Sequence, residues 1–257
     1  MNPTALIIRT AGTNCDRELA HAFELAGAAT RTVHLNQLIA DASPLEQADL
    51  IGFPGGFSYG DDISAGRIFA NRLRHRLFDP LRAAIRRGVP VIGICNGFQV
   101  LAKMGLLPDP DLGRQITTLA DNTCGRFIDR WVRLEAEPQS KCIWTQGLDR
   151  LELPIAHGEG RFLTESDTVL KRLHTNGQIA LRYAAADNPN GSTEHIAGIC
   201  DPTGLVLGLM PHPERYTHFT NHPQWTRQAA EALAETPVGL RFFENAVEHV
   251  RAASVAV

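Results

Sequence analysis

Apolar residues come in two rhythms along this chain. Short runs at Thr4 to Arg9, Leu50 to Phe53, Val89 to Ile94 and Leu205 to Met210 are too brief for helices and predict strands buried on both faces. Ala29 to Leu35 predicts a further strand. The intervening segments carry a helical spacing. Leu19, Ala22, Phe23 and Ala26 line one side of a helix begun by Asn14 or Asp16 as cap and stopped by Gly27. Ser64 to Leu77 and Pro80 to Arg87 predict one long helix, or two with Asp79-Pro80 as cap and first position of the second. Asn96 to Met104 predicts another, with Phe98, Leu101 and Ala102 on one side and Gly105 as its stop. Strands alternating with helices predict an α/β fold: an open, mostly parallel sheet with helices on both faces, in three layers.

Past Leu107 the rhythm changes. Pro108-Asp109-Pro110-Asp111 predicts a loop, followed by β-like segments from Ile116 to Glu135 and from Leu153 to Leu163. Glu165 to Leu173 predicts a helix. Asp201-Pro202-Thr203-Gly204 predicts a turn joining antiparallel strands His195 to Cys200 and Leu205 to Met210. The sheet is therefore expected to carry an antiparallel extension. Helices around Arg227 to Ala234 and from Val238 to Val250 are expected to pack back on the body. Without repeats or a low-complexity linker, residues 1–257 are expected to form a single domain.

Composition narrows the picture by exclusion. With 257 residues, 44% of them hydrophobic, the chain can bury a full core. A net charge of -3 offers no electrostatic case for nucleic acid or a membrane surface. The arginines at 67, 72, 74, 76, 82, 86 and 87 make one helical region basic, which predicts a solvated face or a docking surface. Five cysteines, at 15, 95, 124, 142 and 200, form no C-x-x-C pair, so neither a metal site nor a disulfide framework is expected. No run approaches membrane-spanning length, and the N-terminus lacks a signal pattern. A cytoplasmic enzyme with reduced thiols is expected.

The candidate chemistry centres on Gly93-Ile94-Cys95-Asn96-Gly97. It is the G-x-S-x-G elbow with cysteine as nucleophile, set between a strand and a helix. The glycines permit the close approaches of a strained turn, and the helix N-terminus is expected to favour a thiolate. A buried apolar cysteine would look the same in isolation, so a base must be found. Leu205 to Met210 delivers Pro211-His212-Pro213-Glu214, where two prolines fix the backbone around His212. Glu214 stands close enough to accept a hydrogen bond from the imidazole. Pro54-Gly55-Gly56 follows the third strand and emerges on the same sheet edge, where two glycines can turn amide groups toward a developing oxyanion or flip their shared peptide. Gln99 lies one helical turn past Cys95. His157 and Glu159 alternate along an extended stretch, as pocket residues or as a structural pair. Cys15 has no elbow around it and is expected to be structural.

With Gly93-Ile94-Cys95-Asn96-Gly97-Phe98-Gln99 and Pro211-His212-Pro213-Glu214, the chain resembles the class I (triad) glutamine amidotransferases. The blocks Pro54-Gly55-Gly56-Phe57-Ser58-Tyr59-Gly60-Asp61, Asn14-Cys15-Asp16 and Ala156-His157-Gly158-Glu159-Gly160 are similar to one subfamily, the glutaminase subunits of phosphoribosylformylglycinamidine synthase. The resemblance implies a flavodoxin-like sheet and a catalytic triad of Cys95, His212 and Glu214. It implies an oxyanion hole from Gly56 and Asn96 amides, with Gly55 beside them, and a substrate pocket with Gln99, Phe57, His157 and Glu159. The implied reaction hydrolyses L-glutamine to glutamate and ammonia. No phosphate-binding G-x-x-x-x-G-K-[ST] loop is present, so no cofactor is expected on this chain. ATP and Mg belong on a large synthetase subunit, with a small bridging subunit as second partner. The ammonia would convert formylglycinamide ribonucleotide (FGAR) to formylglycinamidine ribonucleotide (FGAM). The remaining readings are a peptidase, chaperone or deglycase of the same architecture, a glutaminase serving another synthetase, and a non-catalytic subunit.

Overall fold

A computed structural model describes residues 2–227 and 236–255. Its frame is a nine-stranded sheet built from β1 (Thr4–Arg9), β2 (Ala29–His34), β3 (Leu50–Phe53), β4 (Val91–Ile94), β6 (Ile128–Ala136), β7 (Arg150–His157), β9 (Ile179–Tyr183), β10 (Ile196–Cys200) and β11 (Val206–Leu209). The spatial order is β2-β1-β3-β4-β11-β10-β9-β6-β7. From β2 to β11 neighbours run parallel, and from β11 onward each ladder is antiparallel. The antiparallel extension thus continues the main sheet. β5 (Thr117–Asp121) and β8 (Glu159–Thr164) form a separate two-stranded ribbon.

Helices cover both faces. The strands alternate their side chains, so neighbouring residues of β3 report on opposite sides. A Cβ at Gly52 would meet Leu19 and Phe23 of α1 (Asp16–Leu25), whereas Phe53 packs its ring 6.2 Å from Phe69 of α4 (Arg67–Arg86). The C-terminal helix α7 (Val238–Val255) joins α1: Phe243 stands edge-on to Phe23 at 5.1 Å. Two short helices, α2 (Leu35–Ala40) and α3 (Ser43–Gln47), precede β3, and α6 (Asp167–Thr175) precedes β9.

Several boundaries differ from the sequence expectation, each for a local reason. β2 ends at His34 because its side chain accepts from the Asn36 amide and caps α2. α1 begins at Asp16 after Cys15, but no side chain caps it; Asn14 instead accepts from the Cys15 thiol. α4 runs unbroken through Pro80. Leu73, Leu77, Leu81 and Ala84 are all buried, and burying that stripe outweighs the roughly 3 kcal/mol of an interior proline. The expected helix around Arg227 to Ala234 falls mostly on 228–235, outside the described residues. None of the described helices is long and apolar enough to cross a membrane.

The heart of the fold is α5 (Asn96–Met104), where every residue except Lys103 is buried. Gly97 lets it lie directly on β3, since a Cβ there would sit 2.0 Å from the Phe53 carbonyl oxygen. The backbone must move to admit a methyl group. Gly97→Ala is therefore expected to destabilise the protein by about 2–3 kcal/mol, read as a lower urea midpoint at unchanged slope.

Candidate active site

Three adjacent parallel strands converge on one edge. β3, β4 and β11 are in register, with Phe53 opposite Gly93 and Leu209 opposite Ile94. The residues that follow them, Gly55-Gly56, Cys95 and His212, leave the sheet together at its carboxyl end, where open α/β sheets place their ligands. The Cys95 amide donates to the Leu209 carbonyl at 2.8 Å, and the His212 amide to the Pro154 carbonyl at 2.9 Å.

Cys95 occupies the elbow with φ 52° and ψ -105°, a left-handed conformation that a side chain tolerates only under constraint. The constraint is visible in the glycines around it. A Cβ on Gly93 would press 2.6 Å from Leu101. One on Gly55 would lie 2.9 Å from His212 Cε1 and 3.6 Å from Cys95 Cβ, so Gly55 separates Cys95 from His212 by backbone alone.

His212 and Glu214 are buried and joined by Nδ1···Oε1 at 2.6 Å. Glu214 thereby places the Nδ1 proton and leaves Nε2 as acceptor. That Nε2 is buried with no hydrogen-bond partner among the described residues. The Cys95 thiol instead donates to the Ala156 carbonyl at 3.7 Å. The expectation of a resting thiolate is corrected here. Burial pushes the Cys95 thiol well above its ordinary pKa, and the opposing pull of the Asn96 amide is smaller. That direction favours the thiol form of Cys95.

The Gly55 carbonyl accepts from the Asn14 and Cys15 amides at 3.3 and 3.2 Å. Across that trans peptide the Gly56 N–H points the opposite way, and it finds no acceptor among the described residues. Gly56 has φ +140°, and a Cβ there would lie 2.7 Å from both Asn14 N and Gly12 O. The peptide is held by two bonds in the orientation that frees Gly56, which opposes the flip that the sequence allows.

Gly56, Phe57, Cys95, Gln99, His157 and Glu159 line one cavity of about 240 Å³. Gln99 is committed at both ends: Nε2 donates to the Glu159 carbonyl at 2.6 Å and Oε1 accepts from Asn96 Nδ2 at 2.9 Å. Glu159 accepts from the Ala65 amide at 3.0 Å and pairs with the Lys103 ammonium at 3.8 Å. His157 faces Asn122 Oδ1 through Nδ1 at 3.1 Å, and burial followed by the neighbouring His212 lowers its pKa to about 4, so it is neutral at pH 7. Phe57 is half-exposed at the rim, its ring 6.1 Å from that of Phe127.

Sequence reading gave no role to Asp61, Asp121 or Arg126 and expected Cys15 to be structural. Asp61, Asp121 and Arg126 line the cavity. Cys15 stands against the triad, its sulfur receiving an Arg215 N–H at 3.0 Å, with its thiol pushed up to about 12 chiefly by burial. Cys15, His212 and Glu214 bring ligand-type atoms within 4.8 Å of one another, yet the sulfur is already engaged by a cation and the imidazole by the carboxylate. The Asn14-Cys15-Asp16 block was the available signal for Cys15. Asp61 lay inside a quoted block, and Arg126 had none.

The profile of the CobB/CobQ-like glutamine amidotransferase domain matches residues 2–250. A protein of Dehalococcoides mccartyi named phosphoribosylformylglycinamidine synthase subunit PurQ is 47% identical over 96% of this chain and 97% of its own. A protein of the same name from Methanococcus maripaludis is 42% identical over 96% and 97%. Among solved structures, a chain of PurLQS from Thermotoga maritima superposes with a TM-score of 0.74 at 32% identity, covering 97% of this chain and 100% of that one. The chain belongs to the CobB/CobQ-like glutamine amidotransferase domain family.

Proposed function

We propose that Cys95, His212 and Glu214 form the triad through which this chain acts as the glutaminase subunit of phosphoribosylformylglycinamidine synthase. In that role it releases ammonia from L-glutamine for a synthetase subunit that turns FGAR into FGAM in purine biosynthesis. One observation carries the triad: a buried His212–Glu214 pair at 2.6 Å whose Nε2 is unclaimed, just past the end of the strand next to a cysteine elbow.

The chemistry follows from the groups. The Cys95 thiol turns from the Ala156 carbonyl toward His212, which takes its proton as sulfur attacks the γ-carboxamide. The carbonyl oxygen becomes an oxyanion between the Gly56 and Asn96 amides. The imidazolium, stabilised by Glu214, protonates departing ammonia and then activates water against the thioester. Gln99, Glu159 and His157 shape the pocket wall, and Phe57 its rim. ATP and Mg are assigned to the synthetase subunit, and a small bridging subunit completes the assembly. Residues 1–257 act as one domain in the cytoplasm, where the five free cysteines stay reduced.

Alkylation tests the nucleophile. A chloroketone analogue of glutamine is expected to label Cys95 first, because the pocket presents it to the sulfur. Iodoacetamide, which gains nothing from the pocket, is expected to modify exposed Cys124 first and reach Cys95 faster as pH rises, since the raised pKa leaves little thiolate at neutrality. Peptide mapping that places the chloroketone on Cys15 would overturn the assignment.

A further inference from the structure

Three charges on the cavity beside Cys95 lack a counter-ion among the described residues: Asp61, Arg126 and Asp121, the last of them exposed to solvent at the end of β5. Asp61 is the first. The turn that carries it sets Tyr59, Gly60 and Asp61 all at positive φ, 56°, 71° and 53°, two of them non-glycine residues. Such a run persists only where the surroundings enforce it, and it holds the Asp61 carboxylate on the cavity wall. Oδ1 accepts from the Gly66 amide at 3.3 Å and Asn96 Nδ2 at 3.4 Å, while Oδ2 takes no hydrogen bond among the described residues. Partial burial raises the pKa of this carboxyl, and the Gly66 amide and the more distant Lys103 charge offset it only in part; Lys103 itself pairs with Glu159 and donates to the Ala65 carbonyl.

Arg126 is the second. Among the described residues it is the only cation lining the cavity, and there its backbone carbonyl alone enters hydrogen bonds, from Asn122 and Cys124. Among the described residues its guanidinium has no carboxylate partner. A half-buried anion and a free guanidinium on one cavity, with a nucleophile at its buried end, complement a zwitterion whose two charges sit on one carbon away from the reacting group.

We propose that Asp61 binds the α-ammonium and Arg126 the α-carboxylate of L-glutamine, so that the pocket selects a free amino acid and rejects a glutamine within a peptide. The assignment rests on the reading of Cys95 as the glutaminase nucleophile. A planar guanidinium suits a carboxylate through two parallel bonds, and the free Asp61 oxygen suits an ammonium proton. A peptide-linked glutamine has neither charge. Gln99, with both amide ends already committed, fixes Asn96 and the pocket wall and leaves charge recognition to the other two.

The test uses the chain assembled with its synthetase partners and three substrates: L-glutamine, glutaramate, which lacks the ammonium, and glutaminamide, which lacks the carboxylate. Arg126→Gln is expected to raise KM for glutamine roughly 30-fold with kcat nearly kept, and to leave glutaminamide unchanged. Asp61→Asn, which keeps the Oδ1 acceptor for Gly66, is expected to penalise glutamine similarly and leave glutaramate unchanged. Equal penalties on the truncated substrates would overturn the proposal, as would Asp121→Asn reproducing the ammonium effect while Asp61→Asn does not. Arg126 is exposed, so its arm of the test stands even if Asp61→Asn folds poorly. A wild-type complex that hydrolyses no glutamine would overturn the glutaminase reading itself, before any variant is compared.

Discussion

Cys95→Ala is expected to remove glutamine-dependent FGAM synthesis by a factor of roughly 10⁴ or more while leaving the ammonia-dependent reaction of the same complex intact. The split follows from what the residue does. Only the sulfur can form the thioester, and His212 with its Glu214 partner cannot activate water against an amide held for another nucleophile. The synthetase site needs ammonia and is indifferent to its source. The substitution removes one buried atom beside Gly55 and relieves nothing else in the core, so assembly is expected to be normal. Both nitrogen sources are measured on the reconstituted complex, with assembly checked by size-exclusion chromatography. Loss of the ammonium-driven rate in an intact complex would show that Cys95 does more than release ammonia.

His212→Ala is expected to cost about as much as loss of the nucleophile, because a thiol whose pKa burial has raised cannot ionise unaided. Glu214→Gln is expected to cost less, roughly 100-fold in kcat. The glutamine keeps an acceptor for the Nδ1 proton, and Pro211 and Pro213 hold the His212 backbone. What is lost is the negative charge opposite the imidazolium, and that loss is felt more because the Arg215 cation lies close by. The effect should fall on kcat with little change in KM, since neither residue lines the substrate cavity. Near-normal turnover by His212→Ala would remove it from the triad.

Much of this was legible in the residues because it is written locally. β1, β3 and α5 have the bounds that their apolar runs suggest, and the elbow declares itself through glycines two residues either side of Cys95. His212–Glu214 is equally local. What escaped depends on long-range pairing. β9 is a buried strand of only five residues, Ile179–Tyr183, whose apolar run is broken by Arg182, and it is identified by its pairing with β10 and β6. The continuity of α4 through Pro80 depends on a buried stripe that only the packed structure creates. Cys15 and Arg215 meet across almost the whole chain, and Asp61 and Arg126 share a cavity only after β5, β8 and α5 have assembled around it. Hydrophobic rhythm reports which face is buried, not which neighbour covers it.

The place of β11 has a consequence for how the protein is made. Among the described residues it is the last strand, yet it lies in the middle of the sheet between β4 and β10. Until it leaves the ribosome, the two halves of the sheet have no ladder joining them, and β4 presents an unpaired apolar edge of the kind that invites wrong partners. A nascent chain therefore holds Cys95 long before it holds His212. The late strand closes the edge and brings His212 at once, so no nascent chain that stops short of it can waste glutamine.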